Sequence, residues 1–102
     1  MTHIEQMKPN WIVAKAYRNK GLSIREVPTR EIRRTEKPGG WSSDILVSLK
    51  DAFASGAPVP YIVTFRPPGK RSYRIIDGHH RYNVFRRIYP DAKTIPVLVQ
   101  NG

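Results

Sequence analysis

The sequence predicts an α+β domain: a small mixed β-sheet flanked by helices. Three observations predict it. Four short runs of β-formers lie at 22–27, 61–65, 73–76 and 94–99, segments with helical spacing separate them, and glycine or proline marks most junctions. The expected order is helix, strand, helix, strand, strand, helix, strand.

Each element has a local reason. Asn10 can cap a short N-terminal helix carrying Trp11, Ile12, Ala14, Ala16 and Tyr17, which Gly21 would end. Residues 22–27 alternate, with Leu22, Ile24 and Val27 expected inward. A basic stretch of Arg30, Arg33, Arg34 and Lys37 follows, broken by Glu31 and Glu36, then a Lys37-Pro38-Gly39-Gly40 turn. Ser42 or Ser43 can cap a helix whose inward stripe is Ile45, Leu46, Leu49, Ala52 and Phe53, ending at Gly56. Pro60 opens the strand Tyr61-Ile62-Val63-Thr64-Phe65, a proline- and glycine-bearing loop turns the chain, and Tyr73-Arg74-Ile75-Ile76 returns. The next helix has Val84, Phe85 and Ile88 on its apolar side and Asn83, Arg86 and Arg87 opposite. In the last strand Ile95, Val97 and Val99 share a face, and Pro96 argues for an edge position. The division expected is an N-terminal helical extension, 1–21, and a domain over 22–102.

Composition narrows the function. Eighteen Lys and Arg, most of them Arg, against eight Asp and Glu give a net charge of +10. An excess of that size on a small domain favours polyanions through counterion release, and arginine forks onto phosphate. With no cysteine, a disulfide framework and a thiolate zinc site are excluded. No run of about 18 apolar residues suggests a membrane span. Residues Met1 to Pro9 lack signal-peptide character, so the expected location is the cytoplasm, with no membrane partner.

The chemistry concentrates in Asp77-Gly78-His79-His80-Arg81, where a strand runs directly into a helix. A helix N-terminus presents backbone N–H groups and the positive end of the helix dipole, which together favour an anion. Gly78 lets the chain turn and a ligand approach. His79, His80 and Arg81 add side-chain donors, and phosphate uses all of these features together. Asp77 can cap the helix or help hold magnesium; both readings stand. Either histidine can equally be a structural hydrogen-bonding residue. Zinc lacks a third ligand apart from distant His3. Arg86 and Arg87 are a solvated helix face unless DNA lies across it.

From Leu22 to Gln100 the chain resembles the ParB/sulfiredoxin superfamily, the ParB-like nuclease domain. The resemblance rests on Ile24-Arg25-Glu26-Val27-Pro28, Ala54-Ser55-Gly56, Pro58-Val59-Pro60-Tyr61-Ile62-Val63, Ile76-Asp77-Gly78-His79-His80-Arg81-Tyr82 and Ile95-Pro96-Val97-Leu98-Val99. It implies a nucleotide whose phosphates rest on the Asp77–Arg81 box. Sulfiredoxins carry a reactive cysteine where this chain has His79, so sulfinic acid reduction is excluded here. Free serine kinases of the superfamily share the Asp-Gly-His-His-Arg box. Their acidic catalytic residue follows the first strand, which makes Glu36 the best positional match and Glu31 the second.

Three functions follow as expectations. The first is a DNA-directed protein, a ParB-like DNA-binding module or nuclease. Arg30, Arg33, Arg34, Lys70, Arg71, Arg86 and Arg87 would contact DNA, with Arg66 and Arg74 also near the hairpin. His79 or His80 would activate water, Asp77 and Glu36 would hold Mg2+, and Arg81 would steady the phosphorane. The second is a nucleotide-dependent enzyme, an ATPase or small-molecule kinase using ATP or another nucleotide, with Glu36 as base. The third is a non-catalytic accessory binder encoded by a phage or plasmid, with Trp11 and Tyr17 as a partner surface.

Overall fold

The computed structural model describes residues 9–34 and 43–101, and all structural statements concern those residues. The elements in chain order are β1 (Asn10–Ile12), a 3-10 turn (Lys15–Tyr17), β2 (Ser23–Pro28), a second 3-10 turn (Thr29–Glu31), β3 (Ile32–Arg33), α1 (Ser43–Ser55), β4 (Pro58–Pro60), β5 (Ile62–Arg66), β6 (Tyr73–Asp77), α2 (His79–Ile88) and β7 (Thr94–Asn101). The α+β expectation holds. Five strands form a mixed sheet in the order β2-β7-β5-β6-β3, and β1 and β4 form a separate parallel pair.

The β-formers of β5 and β7 become the buried centre. Ile62, Val63, Val97, Leu98 and Val99 are all buried, paired in parallel from Ile62 opposite Val97 onward. Consecutive burial along both strands means that both faces are covered there. On the helix face Ile62, Ile75, Val97 and Val99 join Phe53 of α1 and Tyr82, Val84 and Phe85 of α2 in one core cluster. Val63 and Leu98, opposite one another in register, are buried outside that cluster, on the other face.

Several local expectations are corrected. Asn10 to Ile12 is a strand, not a helix, because it pairs with Pro58 to Pro60, and within the expected helix only Lys15–Tyr17 is helical, as a 3-10 turn. Its Trp11 stacks on Tyr61 (5.9 Å, 12° between planes) and meets Phe53 edge-on at 5.6 Å, so tertiary pairing overrides local helix preference. The last strand is not an edge: β7 lies between β2 and β5. Pro96 stands opposite Glu26, one residue before pairing with β5 begins at Val97, so its missing N–H falls at the end of that ladder. Ile24 is 53% exposed rather than inward, because its register partner Leu98 faces away from the main core. Ile45 is 43% exposed, so α1 is anchored chiefly by Phe53, with Leu46, Leu49 and Ala52 half-buried. Ser42 and the side chain of Ser43 lie outside the described residues. No helix among the described residues is long and apolar enough to cross a membrane.

Candidate functional site

Strand β6 delivers the Asp77–Arg81 box with one extra residue. Phe65 pairs with Arg74 and Thr64 with Ile75, but Val63 pairs with Asp77, which leaves Ile76 as a bulge. A bulge re-aims the side chain after it. Without it, strand alternation would send Asp77 to the same side as buried Ile75; with it, Asp77 shares Val63's side, away from the main core. There the Tyr17 hydroxyl donates to Asp77 Oδ2 at 3.1 Å.

Gly78 then turns the chain with φ 106° and ψ 27° and caps α2 with no side-chain hydrogen bond; the Tyr82 amide closes the first helical turn on the Gly78 carbonyl at 2.9 Å. The turn needs glycine for conformation and for space. A Cβ there would lie 2.9 Å from Arg81 Nη2 and 3.2 Å from Ile62 Cα. The guanidinium of Arg81 therefore lies directly over Gly78. Its Nη2 donates to the Tyr61 carbonyl at 3.2 Å and sits 3.7 Å from Asp77 Oδ2, while its Nε is buried with no hydrogen-bond partner. An unsatisfied buried donor costs about 1–3 kcal/mol, and such atoms in folded proteins call for an explanation.

The rest of the first turn is braced. His79 is buried, and its carbonyl accepts from Asn83 Nδ2 at 2.7 Å; His80 is half-buried. Asn83 Oδ1 accepts from Arg34 Nε at 2.7 Å, and the Arg34 guanidinium lies 5.1 Å from the Tyr82 ring centroid. The Tyr82 hydroxyl donates to the Thr29 carbonyl at 3.2 Å. Asn83, expected on the solvent side with Arg86 and Arg87, is instead buried, because it is the link between α2 and the segment Thr29–Arg34.

The structure thus brings Asp77, Gly78, His79, His80 and Arg81 together and adds Arg34 from the DNA-binding set through Asn83 and Tyr82. It scatters the other cations. Lys70 and Arg71 precede β6, whose span from Tyr73 to Asp77 is about 13 Å at the usual rise per strand residue, so they lie beyond its far end from Asp77. Arg33 stands beside Arg74 in register, and its Nη1 donates to the carbonyls of Arg30 (2.6 Å) and Ile32 (3.2 Å). Arg86 donates to the Ala92 carbonyl at 3.0 Å from the last turn of α2, and Arg87 is exposed there. Glu36, the expected base and metal ligand, lies outside the described residues. Among the described residues no three of His, Asp and Glu cluster as a metal site, and Asp77 is already shared between Tyr17 and Arg81. Cavities of about 530 and 570 Å3 lie among the described residues, and neither of these is lined by the box. In the junction itself, Arg81 fills the space above Gly78.

Tyr17 was legible only as a surface residue; its link to Asp77 spans sixty positions and leaves no local signal. Burial, then the Asp77 carboxylate and the hydrogen bond to it, raise the Tyr17 phenol above its ordinary value of 10.0, with Arg81 pulling the other way. A raised folded pKa means that the stabilisation is full below pH 10 and is lost as pH rises through the folded value. Tyr17→Phe is expected to cost about 0.5–1 kcal/mol at pH 7, the low end for such a bond because Asp77 is 45% exposed. The difference should vanish above the folded pKa. Urea unfolding at pH 7, 9 and 11 checks this; a gap that persists unchanged at pH 11 refutes it.

No protein family and no curated protein matches the chain. Solved structures do. Sulfiredoxin from Arabidopsis thaliana superposes with a TM-score of 0.63 at 22% identity, over 78% of this chain and 86% of that one. The C-terminally truncated chromosome-partitioning protein ParB from Caulobacter crescentus, complexed with CTP-γ-S, gives 0.59 at 22% identity over 78% of this chain and 45% of that one. A free serine kinase in complex with AMP gives 0.58 at 20% identity over 88% of this chain and 36% of that one. The chain spans less than half the length of the ParB and kinase structures and most of the sulfiredoxin. What these three share with it is architecture, and the chain has the ParB/sulfiredoxin fold.

Proposed function

We propose that the chain is a nucleotide-binding module that takes phosphate at Gly78–Arg81. The observation that carries this reading is the buried Arg81 Nε without a partner, held over a helix N-terminus whose cap residue contributes no side chain. A phosphate oxygen would supply the missing acceptor, and the helix end would supply backbone donors and dipole. To admit it, the guanidinium swings off Gly78, exchanging the Tyr61 carbonyl for an ion pair. ParB with CTP-γ-S and the kinase with AMP support a nucleotide as the ligand class. His80, half-buried beside Arg81, is the second phosphate donor, and His79 braces the turn.

DNA-directed action is the second reading. It rests on the +10 charge and on Arg33 and Arg74, neighbours in register and both exposed on the β3–β6 edge. The ParB protein complexed to the centromeric parS site has the same architecture, with a TM-score of 0.53. In a nuclease, His80 or His79 would act as base with Glu36 and Asp77 on Mg2+; in a kinase or ATPase, Glu36 would be the base.

Calorimetric titration with CTP, ATP and GTP, each with and without Mg2+, and with a short duplex at 50 and 200 mM salt, separates the readings. A nucleotide should bind the parent protein, and Arg81→Ala should weaken it at least tenfold while melting as a folded protein, since a charge-assisted bond is lost. Binding of duplex alone, falling steeply with salt, would favour the second reading. Nucleotide binding that survives Arg81→Ala and His80→Ala unchanged refutes the site.

A further inference from the structure

At the far end of α2 from Gly78 the molecule carries a different kind of site. A cavity of about 530 Å3 is lined by Trp11, Phe85, Tyr89, Pro96, Glu26 and Asp91, among others. We propose that it binds a small organic cation, an ammonium or guanidinium group on an apolar body. The inference is independent of the phosphate reading, since a ten-residue helix separates the two places by about 15 Å.

Size, surface and charge point the same way. Small-molecule sites run from about 300 to 1,000 Å3 and are mostly apolar with a few polar groups. The aromatic part here is one packed unit: Phe85 lies 5.0 Å from Tyr89 and 6.0 Å from Trp11, centroid to centroid. Aromatic rings attract cations through their quadrupole, most strongly where water is excluded. The titratable rim is acidic. Glu26 and Asp91 are two of only eight acids in a chain of net charge +10, and no Lys, Arg or His is among the described lining residues. A lining of two carboxylates and three aromatic residues repels phosphate and selects positive charge.

The walls are held in place. Glu26 stands in register opposite Pro96, which fixes one side to the central sheet. The other side is the loop after α2. The Ala92 amide donates to the Tyr89 carbonyl at 3.1 Å, and Arg86 Nη1 donates to the Ala92 carbonyl at 3.0 Å. The Arg86 guanidinium is therefore spent on the loop backbone. Trp11 enters from β1, and its position depends on the pairing of Trp11 with Val59. A site of this form keeps its shape without ligand, which lowers the entropic cost of binding.

The test compares charge at constant shape. Choline and agmatine are titrated into the full chain, followed by 1H–15N shifts and by Trp11 fluorescence in a Trp41→Phe background. 3,3-Dimethylbutan-1-ol, the neutral isostere of choline, is titrated alongside. Saturable binding of choline or agmatine is expected, with shifts confined to Trp11, Phe85, Tyr89 and the 89–94 loop. Choline should bind at least tenfold more tightly than the neutral alcohol. The double variant Glu26→Gln, Asp91→Asn, altered at two exposed side chains, should bind choline about tenfold more weakly with its spectrum otherwise unchanged. Equal affinity for choline and its neutral isostere, or no saturation by either cation at 50 mM, overturns the proposal. The comparison on the parent protein decides the matter even if the double variant fails to fold.

Discussion

Phe53→Ala is expected to lower stability by about 3–5 kcal/mol, the range for removing a buried phenylalanine when the cavity cannot collapse. Phe53 is 1% exposed and touches three aromatic neighbours, with centroids at 5.6 Å for Trp11, 6.4 Å for Phe85 and 6.5 Å for Tyr89. Among the described side chains of α1 it is the fully buried one; Leu46, Leu49 and Ala52 are only partly covered. Removing it opens a void between two helices and loosens α1 from the sheet. A domain of about 100 residues has roughly 5–15 kcal/mol in total, so this one change takes a large share of it. Urea unfolding followed by circular dichroism measures the loss. A loss below about 1 kcal/mol would mean that α1 is not held through this ring.

Gly78→Ala is expected to cost about 2–4 kcal/mol, from two sources. A positive φ on a non-glycine residue is strained by about 1–3 kcal/mol. The added methyl also meets Arg81 Nη2 at 2.9 Å and the Ile62 backbone at 3.2 Å. The arginine can move; the Cα of a central strand cannot do so without disturbing β7. Gly21→Ala is the control, since Gly21 has φ 69° and open space around its would-be Cβ. That variant carries the backbone term alone, about 1–2 kcal/mol. Thermal denaturation of both variants isolates the steric part as their difference. Equal losses would show that the turn tolerates a side chain and that Arg81 does not rest where the geometry puts it.

Legibility followed the range of the interactions. Strands β5 and β6 and helix α2 were readable because β-branched residues, a Pro-Gly loop and an apolar stripe at helical spacing act over a few residues. Residues 10–17 misled because Asn10 and the alanines favour a helix locally, while the strand exists only through pairing with Pro58 to Pro60, nearly fifty positions away. Pro96 misled for a similar reason: a proline near the start of a strand looks the same in sequence whether the strand is central or at an edge. At the candidate site, the strand-to-helix junction over Asp77–His79 was legible from residue types and spacing alone. That Asp77 is turned by a bulge toward Tyr17, and that Arg34 reaches α2 through Asn83, depends on register, and no local pattern encodes register.

Placing β7 between β2 and β5 has a consequence for biosynthesis. Strand β2 pairs with β7 and with no other strand of the sheet, from Ser23 opposite Val99 to Pro28 opposite Thr94. As the ribosome extends the chain, the first long strand therefore waits for the last. The β5–β6 hairpin and α2 can form while the chain is still tethered, but the sheet cannot be completed until its final strand clears the exit tunnel. Such long-range closure makes folding slow and leaves β2 unpaired in the interval, a nascent edge of the kind chaperones shield.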